Sequence, residues 1–344
     1  MNNLLPTPYQ EFIHKSRYAR WVEDEGRREN YDETVDRYIG FMSDHLKDKF
    51  DYVLPEADIE DLREAILNLE IMPSMRAMMT AGPALARDNI CGYNCSYIPV
   101  DSPRAFDECM YILMCGTGVG FSVERENVDK LPIVSDNFSK SDTIINVADS
   151  KPGWARAYRE LVALLYAGQI PQYNVDNVRP AGSRLKVMGG RASGPKPLVD
   201  LFNFTIDTFK KAKGRRLYPI ECHDIMCKVG QVVVVGGVRR SALISLSNLT
   251  DDQMAHAKSG EWWDEPDRGI YRNGQRNMAN NSVAYENKPE MGTFMREWLS
   301  LYDSKSGERG IFNREAADKQ VARNGRRETG YMWGTNPCSE IILR

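Results

Sequence analysis

From Tyr9 to about Leu69 the chain is charged and poor in Gly, with apolar residues at helical spacing, as in Tyr38, Phe41, Met42 and Leu46. This pattern predicts a small helical subdomain over residues 1–70. From Met72 onward Gly and Pro become frequent, and strand-like and helix-like runs alternate: CSYIPV, then FDECMYILMC, then GVGFSVE. That rhythm predicts a parallel α/β assembly over 71–344. Within it the periodicity predicts helices near 153–167, 198–213, 219–229 and 288–303, and strands near 241–247 and 281–285. No repeat or low-complexity linker interrupts the pattern after residue 70. The chain closes on IILR, an apolar strand-like run, so a further segment is expected to complete it, from a split gene, an intein-interrupted one or a truncation.

Composition narrows the function classes. A hydrophobic fraction of 42% over 344 residues suffices for a substantial core. The net charge of −3, from 45 basic and 48 acidic residues mixed along the chain, supplies no basic face, so direct nucleic-acid binding is not expected. Neither a signal peptide nor an apolar run of membrane length is present, which predicts no membrane association. Seven irregularly spaced cysteines fit a reducing cytoplasm, bacterial or that of a phage's host. They are then core filler, metal ligands or redox groups. No cysteine or histidine follows Cys338, and histidines 14, 45, 223 and 256 form no HxxH pair, so no metal site is predicted.

Candidate chemistry concentrates in four segments. In Thr335-Asn336-Pro337-Cys338-Ser339-Glu340, Pro337 restrains Asn336 and keeps the loop out of a helix, displaying Cys338 on a rigid tip. If the segment is extended, Glu340 reaches the same side as Cys338, and Asn336 adds donors and acceptors. The bland alternative for Cys338 is a small buried hydrophobe. In Cys91-Gly-Tyr-Asn94-Cys95-Ser, two cysteines four apart share one face of a continuous strand, as a redox group or a structural pair. In Cys115-Gly-Thr-Gly118-Val-Gly-Phe-Ser, alternating glycines enter a strand and let the backbone approach a ligand closely. The stretch from Arg179 to Pro195, with Arg184, Lys186, Gly190, Arg191 and Ser193, is basic and glycine-rich, suited to phosphates and bases or merely to a surface loop.

The NPCSEI segment resembles the finger loop of ribonucleotide reductases, most of all the adenosylcobalamin-dependent, monomeric ribonucleoside-triphosphate type, and the resemblance extends over residues 9–344. It implies the first half of a ten-stranded α/β barrel, built from two five-stranded parallel halves, with the finger loop at 335–340 threading the centre. It implies that Cys338 carries the thiyl radical, Glu340 acts as base at the 3′ hydroxyl, Asn336 binds the ribose and Cys95 delivers reducing equivalents, with Cys91 its competitor. Ser74, Asn94 and Gly118 become substrate contacts, and the 179–195 stretch becomes the specificity loop that reads an effector deoxynucleotide. Adenosylcobalamin is the implied cofactor, thioredoxin or a glutaredoxin-like protein the implied reductant, and the C-terminal half of the enzyme a necessary partner, without which the chain is inactive. Ser339 departs from the pattern, which often has glycine there. Two rival readings are the large subunit of an iron- or manganese-dependent reductase and a non-catalytic, nucleotide-binding regulatory half-barrel.

Overall fold

The computed structural model describes residues 5–183, 191–235, 242–323, 325 and 327–344. It divides into two compact units, Met1–Asn94 and Cys95–Arg344. The first unit thus runs past the expected boundary at residue 70. The physical reason is Met78, which joins Tyr31, Val35, Ile39 and Ile66 in one apolar cluster and draws the short helix Met75–Thr80 into this unit. A partly buried ion pair organises the same unit. Arg37 grips Glu29 at 2.7 and 3.0 Å and also donates to the carbonyls of Met78 and Ala81. The unit is helical as expected, with one small addition, an antiparallel pair of two-residue strands at Trp21–Val22 and Arg27–Arg28.

The second unit is built on a five-stranded, all-parallel sheet whose spatial order follows the sequence: β1 (Cys95–Pro99), β2 (Gly118–Ser122), β3 (Leu243–Asn248), β4 (Ala279–Tyr285) and β5 (Gly310–Asn313). Parallel neighbours need crossovers. Helix α1 (Arg104–Met114) joins β1 to β2. Helices α2 (Lys151–Tyr166), α3 (Lys196–Lys211) and α4 (Pro219–Val235) lie between β2 and β3 in sequence, α5 (Met291–Ser304) joins β4 to β5, and α6 (Arg314–Ala322) follows β5. The expected helices and strands are present with ends shifted by a few residues; β5 and a parallel two-stranded ribbon of Ser139–Asn146 with Gln169–Asn174 are additions. Among the described residues, no helix is long and apolar enough to cross a membrane.

The two faces of the sheet differ because side chains alternate along each strand. Val119 and Phe121 of β2 and Leu243 of β3 enter the main core, shared with Phe106 and Met110 of α1, Tyr158 and Leu161 of α2, Phe202 of α3 and Ile225 and Met226 of α4. The opposite face carries Cys95 and Tyr97 of β1 and Gly118, Gly120 and Ser122 of β2, aligned by the register Cys95↔Gly118 and Tyr97↔Gly120. One face is therefore a packed floor against helices. The other, lined with small residues on β2, is free to receive something else.

The core is tight enough to be sensitive to truncation. Phe202 is fully buried between the rings of Tyr158 and Tyr173, with centroids at 6.1 and 5.2 Å. Phe202→Ala is expected to cost about 3–5 kcal/mol, read as a lowered midpoint in urea unfolding with an unchanged slope. A loss below about 1 kcal/mol would contradict this assignment of the core.

Candidate active site

What the glycine-lined face receives is the cysteine loop itself. Gly334–Thr335 and Ile342–Leu343 pair antiparallel, in the register Gly334↔Leu343 and Thr335↔Ile342, and form the two arms. The ascending arm lies on β1 and β2 so closely that side chains are excluded. A Cβ on Gly120 would stand 1.7 Å from the Thr335 carbonyl oxygen, and one on Gly334 would stand 2.0 Å from the Tyr97 ring. Next to Gly118 the contact is Pro337, whose Cγ would lie 3.0 Å from an added Cβ. The alternating glycines do admit a close backbone approach, as the sequence suggests, and the backbone that approaches Gly120 belongs to this same chain.

The tip is a turn. Ser339 N–H donates to the Asn336 carbonyl at 2.9 Å, with Pro337 in the second position, where its fixed φ suits a turn. The expectation of an extended segment from Cys338 to Glu340 is corrected here: Ser339 has φ +62°, the left-handed region. That conformation favours glycine, and the serine that departs from the pattern accepts it at a cost of about 1 kcal/mol. The turn leaves Cys338 exposed while Thr335 and Asn336 are buried.

Asn336 links the loop to the strand. Its Oδ1 accepts from the Ile341 N–H at 2.9 Å, tying the two arms, and its Nδ2 donates to Cys95 Sγ at 3.1 Å. Thr335 Oγ1 adds a second tie, donating to the Ile341 carbonyl at 3.0 Å. Glu340 brings Oε1 to 3.9 Å from Cys95 Sγ. Thiol, amide and carboxylate converge, then, but on Cys95 rather than along an extended strand. Burial pushes the Cys95 thiol up; the Asn336 amide pulls it partly back, and Glu340 and Cys338 push it further up. Cys95 is therefore kept as a neutral thiol at neutral pH, able to give hydrogen and electrons without reacting as a thiolate.

Other residues singled out from the sequence are dispersed. Cys91 does not share a strand with Cys95: it lies buried in the 3-10 turn Asn89–Gly92, and the strand begins only at Cys95. The predicted four-residue spacing along one strand is thereby corrected, because the turn intervenes. Ser74 and the exposed Asn94 belong to the first unit, where Ser74 Oγ caps the helix Met75–Thr80 through the Ala77 N–H at 3.4 Å. In the glycine-rich stretch, Arg184, Lys186 and Gly190 lie outside the described residues. Its flanks are described: Arg179 pairs with Asp149 at 2.7 Å, Arg191 donates to the Gly182 carbonyl at 2.9 Å and Ser193 to that of Gly194 at 3.1 Å. Among the described residues no three His, Cys, Asp or Glu side chains gather as a metal site.

Sequence reasoning passed over Tyr97, Gly334 and the buried pair Arg314–Glu124, which stand around the loop. Nothing in the local pattern marked Glu124 or Arg314, since they lie 190 positions apart. The period-2 spacing of Cys95 and Tyr97 would have placed both on one face.

Comparison with known proteins agrees with the resemblance read from NPCSEI. No protein-family model matches the chain. Over 96% of its length it is similar to proteins named adenosylcobalamin-dependent ribonucleoside-triphosphate reductase, at 27% identity to that of Lactobacillus helveticus and 26% to that of Lactobacillus leichmannii. The chain spans about half the length of these curated relatives, 52% in both cases. The first alignment runs over 411 positions, more than the chain's 344 residues, so that relative carries inserted residues that this chain lacks. A crystal structure of a B12-dependent, class II ribonucleotide reductase superposes with a TM-score of 0.78 at 24% identity, covering 96% of this chain and 53% of that one. The α/β fold with its five-stranded parallel sheet, consistent with half of the expected barrel, is thus shared with that enzyme.

The geometry makes two outcomes measurable. Ser339→Gly is expected to raise stability by up to about 1 kcal/mol, seen as a higher Tm, because it relieves the left-handed strain. Asn336→Ala removes the hydrogen bond that lowers the Cys95 thiol, so alkylation of Cys95 by iodoacetamide should need a higher pH than in the wild type; a shift to lower pH would contradict the assigned contact.

Proposed function

We propose that the chain carries the radical loop and one redox thiol of an adenosylcobalamin-dependent ribonucleotide reductase, which makes 2′-deoxyribonucleotides from ribonucleoside triphosphates for DNA synthesis. The observation that supports this most is the pairing of Asn336 with Cys95 beneath an exposed Cys338, with Glu340 at the same thiol. In this reading the second half of the enzyme, thioredoxin or a glutaredoxin-like reductant, and an effector deoxynucleotide are the partners. The setting is a reducing cytoplasm, which suits a chain whose seven cysteines form no disulfide.

Cys338 stands at the tip of the loop, where a bulky cofactor can face its sulfur, whereas Cys95 is half-buried below. Adenosylcobalamin, when bound, supplies the unpaired electron by homolysis of its cobalt–carbon bond. Cys338, as a thiyl radical, takes the 3′ hydrogen of the ribose and returns it at the end. Glu340 accepts the proton of the 3′ hydroxyl, and Asn336 holds the ribose while keeping Cys95 in place. The 2′ hydroxyl leaves as water, taking a proton from a thiol. Cys95 and a second cysteine outside these residues give up two electrons and two protons in all, one proton leaving in the water and one hydrogen taking the place of the hydroxyl at C2′, and close a disulfide, which the dithiol reductant reopens. Ser74, Asn94 and Gly118 are assigned to the substrate, and Arg179, Arg191 and Ser193, with the segment between them, to the effector.

The test uses the full-length enzyme with adenosylcobalamin, a dithiol and a ribonucleoside triphosphate. Wild type is expected to form deoxynucleotide without added iron or manganese. Cys338→Ser should abolish turnover, and Glu340→Gln should lower kcat by about 100-fold, the scale of a lost acid–base group. Unchanged turnover in Cys338→Ser would remove the radical role, and a requirement for iron or manganese with a second protein would favour the metal-dependent class.

A further inference from the structure

The cysteine loop is gripped at two places along the same pair of strands. Its tip is held at the start of β1 and β2, through Asn336 on Cys95 and Pro337 on Gly118. The other grip lies at the end of β2. Arg314, the first residue of α6, places its guanidinium flat against Glu124, with Nη1 at 2.9 Å from Oε1 and Nη2 at 2.7 Å from Oε2. Both groups are buried, Arg314 to 6% exposure and Glu124 to 1%. The remaining nitrogen, Nε, donates to the Trp333 carbonyl at 2.9 Å, immediately before Gly334 begins the ascending arm.

Each end of this clamp continues into the floor beneath the loop. Glu124 Oε2 accepts from Ser122 Oγ at 2.8 Å, and Ser122 shares its face of β2 with Gly120 and Gly118. Ser122 also hydrogen-bonds the Tyr97 side chain, which shares its face of β1 with Cys95 and packs on Gly334. Trp333 is held at its ring as well: its indole N–H donates to Asp318 at 2.7 Å, and Arg327 lies over it at 4.5 Å. From Gly118 to Ser122 a strand advances roughly 13 Å. The arm from Trp333 to Pro337 runs back over that span with little slack.

Slack matters because the side-chain period is two. A shift of one residue would turn Asn336 away from Cys95 and drive a Cβ-bearing residue onto Tyr97 in place of Gly334. A planar fork that engages a carboxylate with two nitrogens and a carbonyl with the third fixes position in a way that the single ammonium of Lys does not.

We infer that Arg314 and Glu124 are a positioning pair, which sets the register of the loop through the Trp333 carbonyl and so places Asn336 on Cys95 and Cys338 at the tip. The consequence for catalysis rests on the proposed reductase reading; the consequence for thiol geometry does not.

The test is residue-resolved alkylation of this chain with iodoacetamide across pH, read by mass spectrometry, with exposed Cys338 as the internal reference. In the wild type Cys95 is expected to react more slowly than Cys338. In Arg314→Lys and Glu124→Gln, Cys95 should react at least about tenfold faster at neutral pH, with its profile moved toward that of an ordinary thiol, because displacement of the covering arm and of Glu340 relieves the burial that raises the thiol, an effect larger than the loss of the Asn336 hydrogen bond. Gly334→Ala, which displaces the same arm from Tyr97, should reproduce the change. Arg309→Lys is the control. Arg309 is an equally buried arginine, clamped to Glu297 at 2.6 Å away from the loop, and its loss should lower the unfolding midpoint while leaving the Cys95 profile alone.

An unchanged Cys95 profile in folded Arg314→Lys or Glu124→Gln overturns the inference, as does an equal change in Arg309→Lys. If Arg314→Lys is too unstable to isolate, Glu124→Gln, which keeps the shape and one carbonyl acceptor, decides. In the full-length enzyme Arg314→Lys should lower kcat with KM little changed. A wild-type enzyme without reductase activity would defeat the functional reading and leave the alkylation result standing.

Discussion

The Thr335 carbonyl lies against Gly120, in a space where no Cβ fits, and the arrangement of the candidate site follows from that contact. A loop that meets a sheet at backbone distance cannot slide, because each successive residue is matched to the strand beneath it. Gly334 goes to Tyr97, Thr335 to Gly120, Asn336 to Cys95 and Pro337 to Gly118. The glycines of β2 are then best understood as a track for the loop, with the chemistry displayed at its end.

The rest of the second unit supports that track. Helices α1 to α4 bury one face of the sheet in a continuous apolar core, which leaves the opposite face of β1 and β2 rigid and unshared. Parallel strands present their first residues in a row, so Cys95 and Gly118 stand side by side under the tip of the loop. At the far end of the strands, buried charge takes over from close packing. Arg314 and Glu124 lose hydration on burial and offset that cost through paired hydrogen bonds, an arrangement that is unforgiving of displacement once assembled. Positional specificity of this kind keeps the Cys95 thiol, the Asn336 amide and the Glu340 carboxylate in one arrangement.

The chemical consequence is a division between two cysteines. Cys338 is exposed on a turn whose strained Ser339 keeps it from joining either arm. Cys95 sits below, half-buried, with its proton held by desolvation and by the nearby carboxylate of Glu340. The pair is thus differentiated by environment alone, one exposed at the tip and the other half-buried and held as a neutral thiol.

Much of this was legible in the sequence. The helix-rich start, the strand–helix alternation after residue 70 and the turn at Pro337 follow from local rules of periodicity and of proline, which act over a few residues. NPCSEI and the region around Cys95 were sufficient to indicate the family resemblance, and relatives that cover half their length with this chain agree with it. The 3-10 turn at Cys91, the end of the first unit at Asn94 and the clamp of Arg314 on Glu124 depended on contacts distant in sequence. Local pattern determined which residues were chemically able to act. Only the tertiary structure decided that Asn336 and Glu340 meet at Cys95 and that Gly120 yields its side-chain space to a carbonyl 215 residues away, because such approaches are set by packing rather than by spacing along the chain.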